Sequence, residues 1–229
     1  MLRDFMPNRW SFKRVLALWV LVGTTLGGCN LFSANPPNGA EPPSQADPAT
    51  PTDPAIVDHA MTMDLGPKDP EFDLRFLDGM ILHHQGAVTM AEAVLQNSSR
   101  SELKQLAEAI ITAQKAEIAQ MQQWRTDWYP RAGAEPMMYH ADMGHSMAMS
   151  PEMQAAMQMS GDLGQGDPEF DLRFIDAMIP HHEGALVMAE QVLQNSDRPE
   201  LQQLAQAILE TQQAEINQMQ QWKQSWYGQ

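Results

Sequence analysis

The side chains best equipped for chemistry in this chain are imidazoles and thioethers. Met80-Ile81-Leu82-His83-His84 places a methionine and two adjacent histidines within five positions, and Met178-Ile179-Pro180-His181-His182 does so again. Each group is followed by a glutamate and, one helical turn later, a methionine: Glu117 with Met121, and Glu215 with Met219. Thioether sulfur is a soft ligand and imidazole a borderline one, so the combination selects late transition metals, with copper the first candidate. Cu(I) is the preferred ion; Ag(I), also soft and monovalent, and Cu(II) at the histidine-rich positions are the alternatives.

A second store of the same atoms lies between the two groups. Residues 137–159 hold eight methionines, Met137, Met138, Met143, Met147, Met149, Met153, Met157 and Met159, together with His140 and His145. From residue 131 to residue 162 there is no Leu, Ile, Val, Phe or Trp. Methionine is an adaptable core filler, and one reading is a methionine-packed helix lying on the bundle. A segment selected for burial would use branched aliphatics too; this one is selected for sulfur. Met147-Ala148-Met149, Met157-Gln158-Met159 and His145-Ser146-Met147 have Met-x-Met and His-x-Met spacings suited to Cu(I) and Ag(I). His59-Ala60-Met61-Thr62-Met63 repeats them upstream, and Met143 stands between the two tract histidines. All seven histidines belong to a pair or to one of these stretches.

The elements that must position these groups come from a duplication. At an offset of 98, residues 69–129 recur as 167–227 with 42 of 61 positions identical and no gap. Each copy reads as two helices joined by a short turn. Asp69 is the expected N-cap with Pro70 at the first helical position. The first helix runs to about Leu95, and Ser99 with Glu102, like Asp197 with Glu200, has the spacing of a capping box. The second helices continue to about Trp128 and Trp226. A lone hairpin would leave its apolar stripe wet. Two of them make an all-α fold, an antiparallel four-helix bundle of tandem hairpins with a Met/His-rich connecting segment.

Helical periodicity puts Phe72, Asp73, Phe76, Leu77, Met80, His83 and His84 on one face, and Gln114, Glu117, Met121, Trp124 and Trp128 on the facing one. Counted from the turn, His83 lies level with Gln114 and Met80 with Glu117. A buried unpaired carboxylate is costly, so Glu117 and Glu215 need partners. Either histidine and glutamate satisfy each other, or they serve a metal directly or as orienting groups. Asp73 and Asp171 are explained by the helix dipole alone. Met90 and Met188 read as core, the four tryptophans near Trp124 and Trp222 as plugs at the bundle ends, and Pro180 as a bend beside its His pair.

The pattern Phe-Asp-x-x-Phe-x-x-x-Met-Ile-x-His-His-x-x-Ala-x-x-Met-Ala, then Leu-x-x-Leu-Ala-x-x-Ile, then Gln-x-x-Glu-Ile-x-x-Met-x-x-Trp, spans Phe72–Ala91 with Leu103–Trp124. It recurs at Phe170–Ala189 with Leu201–Trp222. It resembles a bacterial family known as domain of unknown function 305, over a little more than half the chain. The resemblance implies a helical bundle and, because some members are periplasmic copper-binding proteins of the CopM type, copper binding. It also implies candidate ligands at Met80, His83, His84, Glu117 and Met121 and at their counterparts Met178, His181, His182, Glu215 and Met219.

Composition narrows the setting. The formal charge of -15 would repel nucleic acid, so no nucleic-acid partner is expected. Residues 1–28 read as a signal peptide: four basic side chains, an apolar run at residues 15–22 too short to span a membrane, then small residues. Leu26-Gly27-Gly28-Cys29 resembles a lipobox whose lone cysteine carries the lipid, placing the protein outside the cytoplasm on a membrane. Residues 29–68 read as a flexible tether, 69–129 as the first hairpin, 130–166 as the Met/His-rich linker and 167–229 as the second hairpin. Outside the cytoplasm thiolates oxidise while thioethers still hold Cu(I).

No catalytic constellation is present. Glu92 and Glu190 are followed three residues later by leucines, so the Glu-x-x-His motif of di-iron bundles is absent. The expectation is a non-catalytic copper-binding lipoprotein with metal ions, a membrane and a copper-transfer protein as partners. A structural bundle with internally satisfied His–Glu clusters is the alternative, and a copper-dependent redox enzyme is a third reading.

Overall fold

A computed structural model describes residues 63–229. His59 and Met61, Cys29, the proposed signal peptide and most of the tether lie outside the described residues. Helix α1 (Phe72–Asn97) and helix α2 (Ser101–Trp128) form the first hairpin; α4 (Phe170–Asn195) and α5 (Pro199–Tyr227) form the second. Between them run strands β1 (Met137–His140) and β2 (His145–Ala148) and the short helix α3 (Pro151–Gln158). None of the described helices is long and apolar enough to cross a membrane.

The helix ends differ in detail from expectation. Asp69 is not the N-cap: Glu71 holds that position with no side-chain cap, and Asp69 forms a tight turn before it, its Oδ1 accepting the Glu71 N–H at 2.8 Å and its carbonyl accepting from Phe72, so Pro70 precedes the α-helix. Asp167 repeats this for α4. The predicted capping boxes do not form. Buried Ser98 and Ser196 accept from the Arg100 and Arg198 N–H groups at 3.1 Å instead, while Ser99 and Asp197 face solvent. These serine contacts precede α2 and α5; Arg100 and Arg198 hold the N-cap positions without a side-chain cap. Helix α4 continues unbroken through Pro180, which is exposed.

The two hairpins pack through their first helices, α1 antiparallel to α4, and this gives two apolar cores. One joins Phe72, Phe76, Leu77 and Met80 of α1 to Met188, Ala189 and Val192 of α4, with Leu201, Leu204 and Ile208 of α5. The other joins Met90, Ala91 and Val94 of α1 to Phe170, Phe174 and Met178 of α4, with Leu103, Leu106 and Ile110 of α2. The cores are related by the same pseudo-twofold that relates the repeats. His83 and His181 meet on that axis, their ring centroids 3.8 Å apart.

The connecting segment is not the single methionine-packed helix weighed from its composition. It opens as an antiparallel hairpin in which Met138 pairs with Met147 and His140 with His145, turning at Gly144 with φ +68. One reason is local: Gly144 supplies the positive φ that closes a short turn. Met149 and Met157 then enter the core, and Met153 and Met159 pack against it. The segment clads the outer face of α1. Tyr139 lies on Gly66, whose φ of +74 and lack of a Cβ permit the contact. Arg75, 1% exposed, ties the assembly together: it donates to the carbonyls of Leu65 and Pro67, to Asp69 and to Ser146 of β2.

Candidate metal centre

Between the two cores lies a polar layer. His83, His84, His181 and His182 are all fully buried. The Nε2 of His84 donates to Glu117 Oε2 at 2.8 Å, and the Nε2 of His182 to Glu215 Oε2 at 2.7 Å. The sequence register placed Glu117 opposite Met80; it reaches His84, one turn further along. With Nε2 donating, a neutral ring turns its Nδ1 lone pair inward, the arrangement by which carboxylates orient ligating imidazoles. Glu117 and Glu215 thus occupy an orienting position, and their side chains are 21% and 12% exposed. With Gln114 and Gln212 they line a narrow cleft between α2 and α5, about 10 Å³, enough for one water.

The layer is under-bonded. The Nδ1 atoms of all four histidines, the Nε2 of His83 and the Oε1 atoms of Gln114 and Gln212 are buried with no protein hydrogen-bond partner. Each such atom costs about 1–3 kcal/mol. Nothing in the packing alone explains keeping them.

Burial, then the neighbouring histidines, pushes His83 well below the usual imidazole range and His181 down to about 3. Both rings are therefore neutral at pH 7, the form that binds metal. Their donors suit a borderline or soft ion. Met80 and Met121 are fully buried in one core, Met178 and Met219 in the other. Among the described residues no three histidine, cysteine or carboxylate side chains already converge as a metal shell. Thioether sulfur or a side-chain rotation would have to complete one.

The candidate ligands of the tract fall into two sets. Met138, His140, His145 and Met147 share one face of the hairpin, because paired and alternate residues of two strands point the same way. Met143, 60% exposed, crowns its turn, and its backbone meets His140 Nδ1 at 3.4 Å and His145 Nδ1 at 3.2 Å. Met149 and Met157 are core residues, and Met159 is half-buried with a left-handed backbone at φ 47. Asp73 and Asp171, discounted as ligands, pair with Arg198 and Arg100.

Two participants escaped sequence reasoning, and a third, Met138, was named only as a member of the methionine tract. Gln158 offers its carbonyl to His181 Nε2 at 3.2 Å. Gly86 gives that carbonyl room, since a methyl there would sit 1.7 Å from it. Met138 completes the hairpin face. The signals existed: Gly86 recurs as Gly184 in the other repeat, and Met138 lies nine positions before Met147 across a turn.

A duplicated helical bundle enclosing a layer of buried histidines, with methionine banked around it, defines the class. The profile of the family described as "Domain of unknown function (DUF305)" matches residues 73–223, and the chain belongs to that family. Among solved structures it is similar to CopM in the Cu(I)-bound form, with 37% identity, a TM-score of 0.52 and coverage of 68% of this chain and 97% of that one. CopM in the Cu(II)-bound form gives 40% identity and a TM-score of 0.54 over 68% of this chain and 97% of that one. A DUF305 fragment from Deinococcus radiodurans gives 26% identity and 0.51 over 67% and 95%. No curated protein matches the chain.

Proposed function

We propose that the protein is an extracytoplasmic, non-catalytic copper-binding lipoprotein that sequesters, buffers or hands on Cu(I), and so contributes to copper homeostasis or resistance. Cys29 carries the anchoring lipid, and a copper-transfer protein is the partner that supplies or receives the ion. Copper enters as cargo. The observation that carries this reading is the layer of four buried histidines with five unpartnered nitrogens. Similarity to CopM with Cu(I), Cu(II) and Ag bound supports the same choice of ions.

In this reading the hairpin face of Met138, His140, His145 and Met147 meets the ion first, because His145 and Met143 are exposed. The buried layer holds it away from water and oxidant. A purely structural bundle with satisfied His–Glu clusters accounts for the Nε2 atoms of His84 and His182 but leaves their Nδ1 atoms unexplained. Titration of the untagged full chain with Cu(I) against a competing chelator tests the proposal. Several ions per chain should be held, and His83→Ala with His84→Ala should remove some while the hairpin retains others. Retention no greater than that of a chain with every Met changed to Leu and every His to Gln would sink it.

A further inference from the structure

The chain approaches both repeats in the same way. Asp64 and Asp162 each accept the N–H of a glycine with positive φ, Gly66 and Gly164, at 2.8 Å. Arg75 donates to the carbonyls of Leu65 and Pro67, and Arg173 to those of Leu163 and Gln165. Just before Asp162 the chain crosses the outer face of α1. Met157 lies against Gly79 there, and the hole at Gly86 takes the Gln158 carbonyl, to which His181 Nε2 donates. Just before Asp64 the chain sets out along the equivalent part of α4. Gln191 donates to the Met63 carbonyl at 2.7 Å and accepts the Leu65 N–H at 2.9 Å, and the Met63 side chain lies beside the hole at Gly184. Met63 is the first described residue, and what α1 has covered, α4 has half open. Gly79, Gly86 and Val88 are buried, whereas their counterparts Ala177, Gly184 and Leu186 are partly exposed. Beneath them, His83 Nε2 is the one Nε2 of the four histidines without a partner among the described residues.

We propose that residues 52–62 of this chain are the cover for α4: they lie over its outer face between residues 177 and 191, as residues 150–160 lie over α1. The repeat offset carries upstream into this stretch. Thr52 stands where Ser150 caps α3, and Met61 where Met159 packs against the core. After Phe32 the next large apolar side chains are Ile56 and Val57, so here the chain regains surface that gains from burial. From Gly184 to Ala177 the face is about 10 Å long at 1.5 Å per residue, within easy reach of that stretch. The β-hairpin has no such counterpart. Residues 39–50, which the offset sets against it, hold Pro42, Pro43 and Pro48, which cannot donate to a ladder. Accordingly Asp176 is exposed where Asp78 accepts the Met137 N–H of β1. Docking seats His59 and Met61 against the bundle beside the histidine layer; only their service as copper ligands rests on the reading above.

Hydrogen exchange of the metal-free full chain, read by mass spectrometry, tests the docking. Amides of residues 55–62 should exchange at least roughly tenfold more slowly than in a free peptide. Leu186→Asp on the face, and Ile56→Asp with Val57→Asp on the segment, should each remove that protection while α1, α2 and α5 keep theirs. Free-peptide rates in the wild type overturn the docking, and so does protection that survives both variants. Protection that disappears on dilution, as a dimer dissociates, gives the cover to a second copy of the chain and overturns it too. With no metal present, each of these results leaves the copper reading standing; that reading fails separately if the wild type retains no Cu(I).

Discussion

The two repeats share most of their residues but not their surroundings. On α1 the connecting segment covers the outer face, and Leu74, Ile81, Leu82 and Val88 are buried. On α4 the same face is more open: Pro180 replaces Leu82 and is exposed, and Leu172, Ile179 and Leu186, the counterparts of Leu74, Ile81 and Val88, are only partly buried. Inside, the histidine layer is nearly symmetric. The difference teaches that duplication built the centre, while divergence went into what lies against it. Two equal His pairs thereby acquired different neighbours, a carbonyl at His181 and a thioether at His83.

The sharpest way to break this comparison is at Asp78 and its counterpart Asp176. Asp78 is 3% exposed, binds Arg125 and accepts the Met137 N–H at 2.9 Å, joining α1, α2 and β1. Burial raises its carboxyl above the ordinary value even so. Asp176 holds Lys223 at 2.7 Å from a side chain 45% exposed. Asp78→Ala strands Arg125 and an N–H group and should cost about 3 kcal/mol in urea unfolding. Asp176→Ala should cost at most about 0.5 kcal/mol. Equal losses would mean that the cladding of α1 contributes nothing.

A pH series sharpens the symmetric part. Unfolded imidazole titrates near 6.5, whereas His181 is held down to about 3 by burial and then by His182 and His84. Between those values the unfolded chain binds more protons than the folded one, so stability falls as pH drops through that window. At pH 5 His181 alone should lower the stability of the metal-free protein by about 2 kcal/mol relative to pH 7.5. His83, lowered for the same first cause, adds loss of the same sign. His181→Gln should flatten the pH dependence measured by circular dichroism at 222 nm. A profile unchanged by that substitution would place the acid sensitivity elsewhere.

Much of this was legible in the chain. The offset of 98 gave the twofold, the helical period put His84 and Glu117 on facing stripes but set Glu117 against Met80, one turn short of its partner, and Ser98 lay one residue from the cap assigned. The hairpin was hidden because Met-Met-Tyr-His has no strand alternation, and its register depends on Gly144 and on Tyr139 finding Gly66. The glycine holes were hidden for a different reason. Gly86 and Gly184 are identical in sequence and sit in equivalent helices; only the chain that crosses them differs, and a crossing is a tertiary fact. Arg75 shows the same limit, since four of its bonds reach the segment before α1 and the sheet.

The smallest effect is expected where the repeats are alike outside the centre. Trp124 stacks on Trp128 at 5.1 Å and Trp222 on Trp226 at 5.0 Å, and each stack is partly buried against one of the two cores, as plugs at the bundle ends. Arg198 lies 4.1 Å over Trp128 and Arg100 4.1 Å over Trp226, each reaching across to the other repeat. A guanidinium stacks on an indole face where an ammonium only points at it. Arg100→Lys and Arg198→Lys should therefore each cost about 0.5–1 kcal/mol in thermal unfolding, and by equal amounts. These contacts sit at the two bundle ends, and only Trp128 adjoins the connecting segment, so their equality would confine the asymmetry to the outer face of α1. A clear inequality between the two variants would show that the divergence extends to the bundle ends.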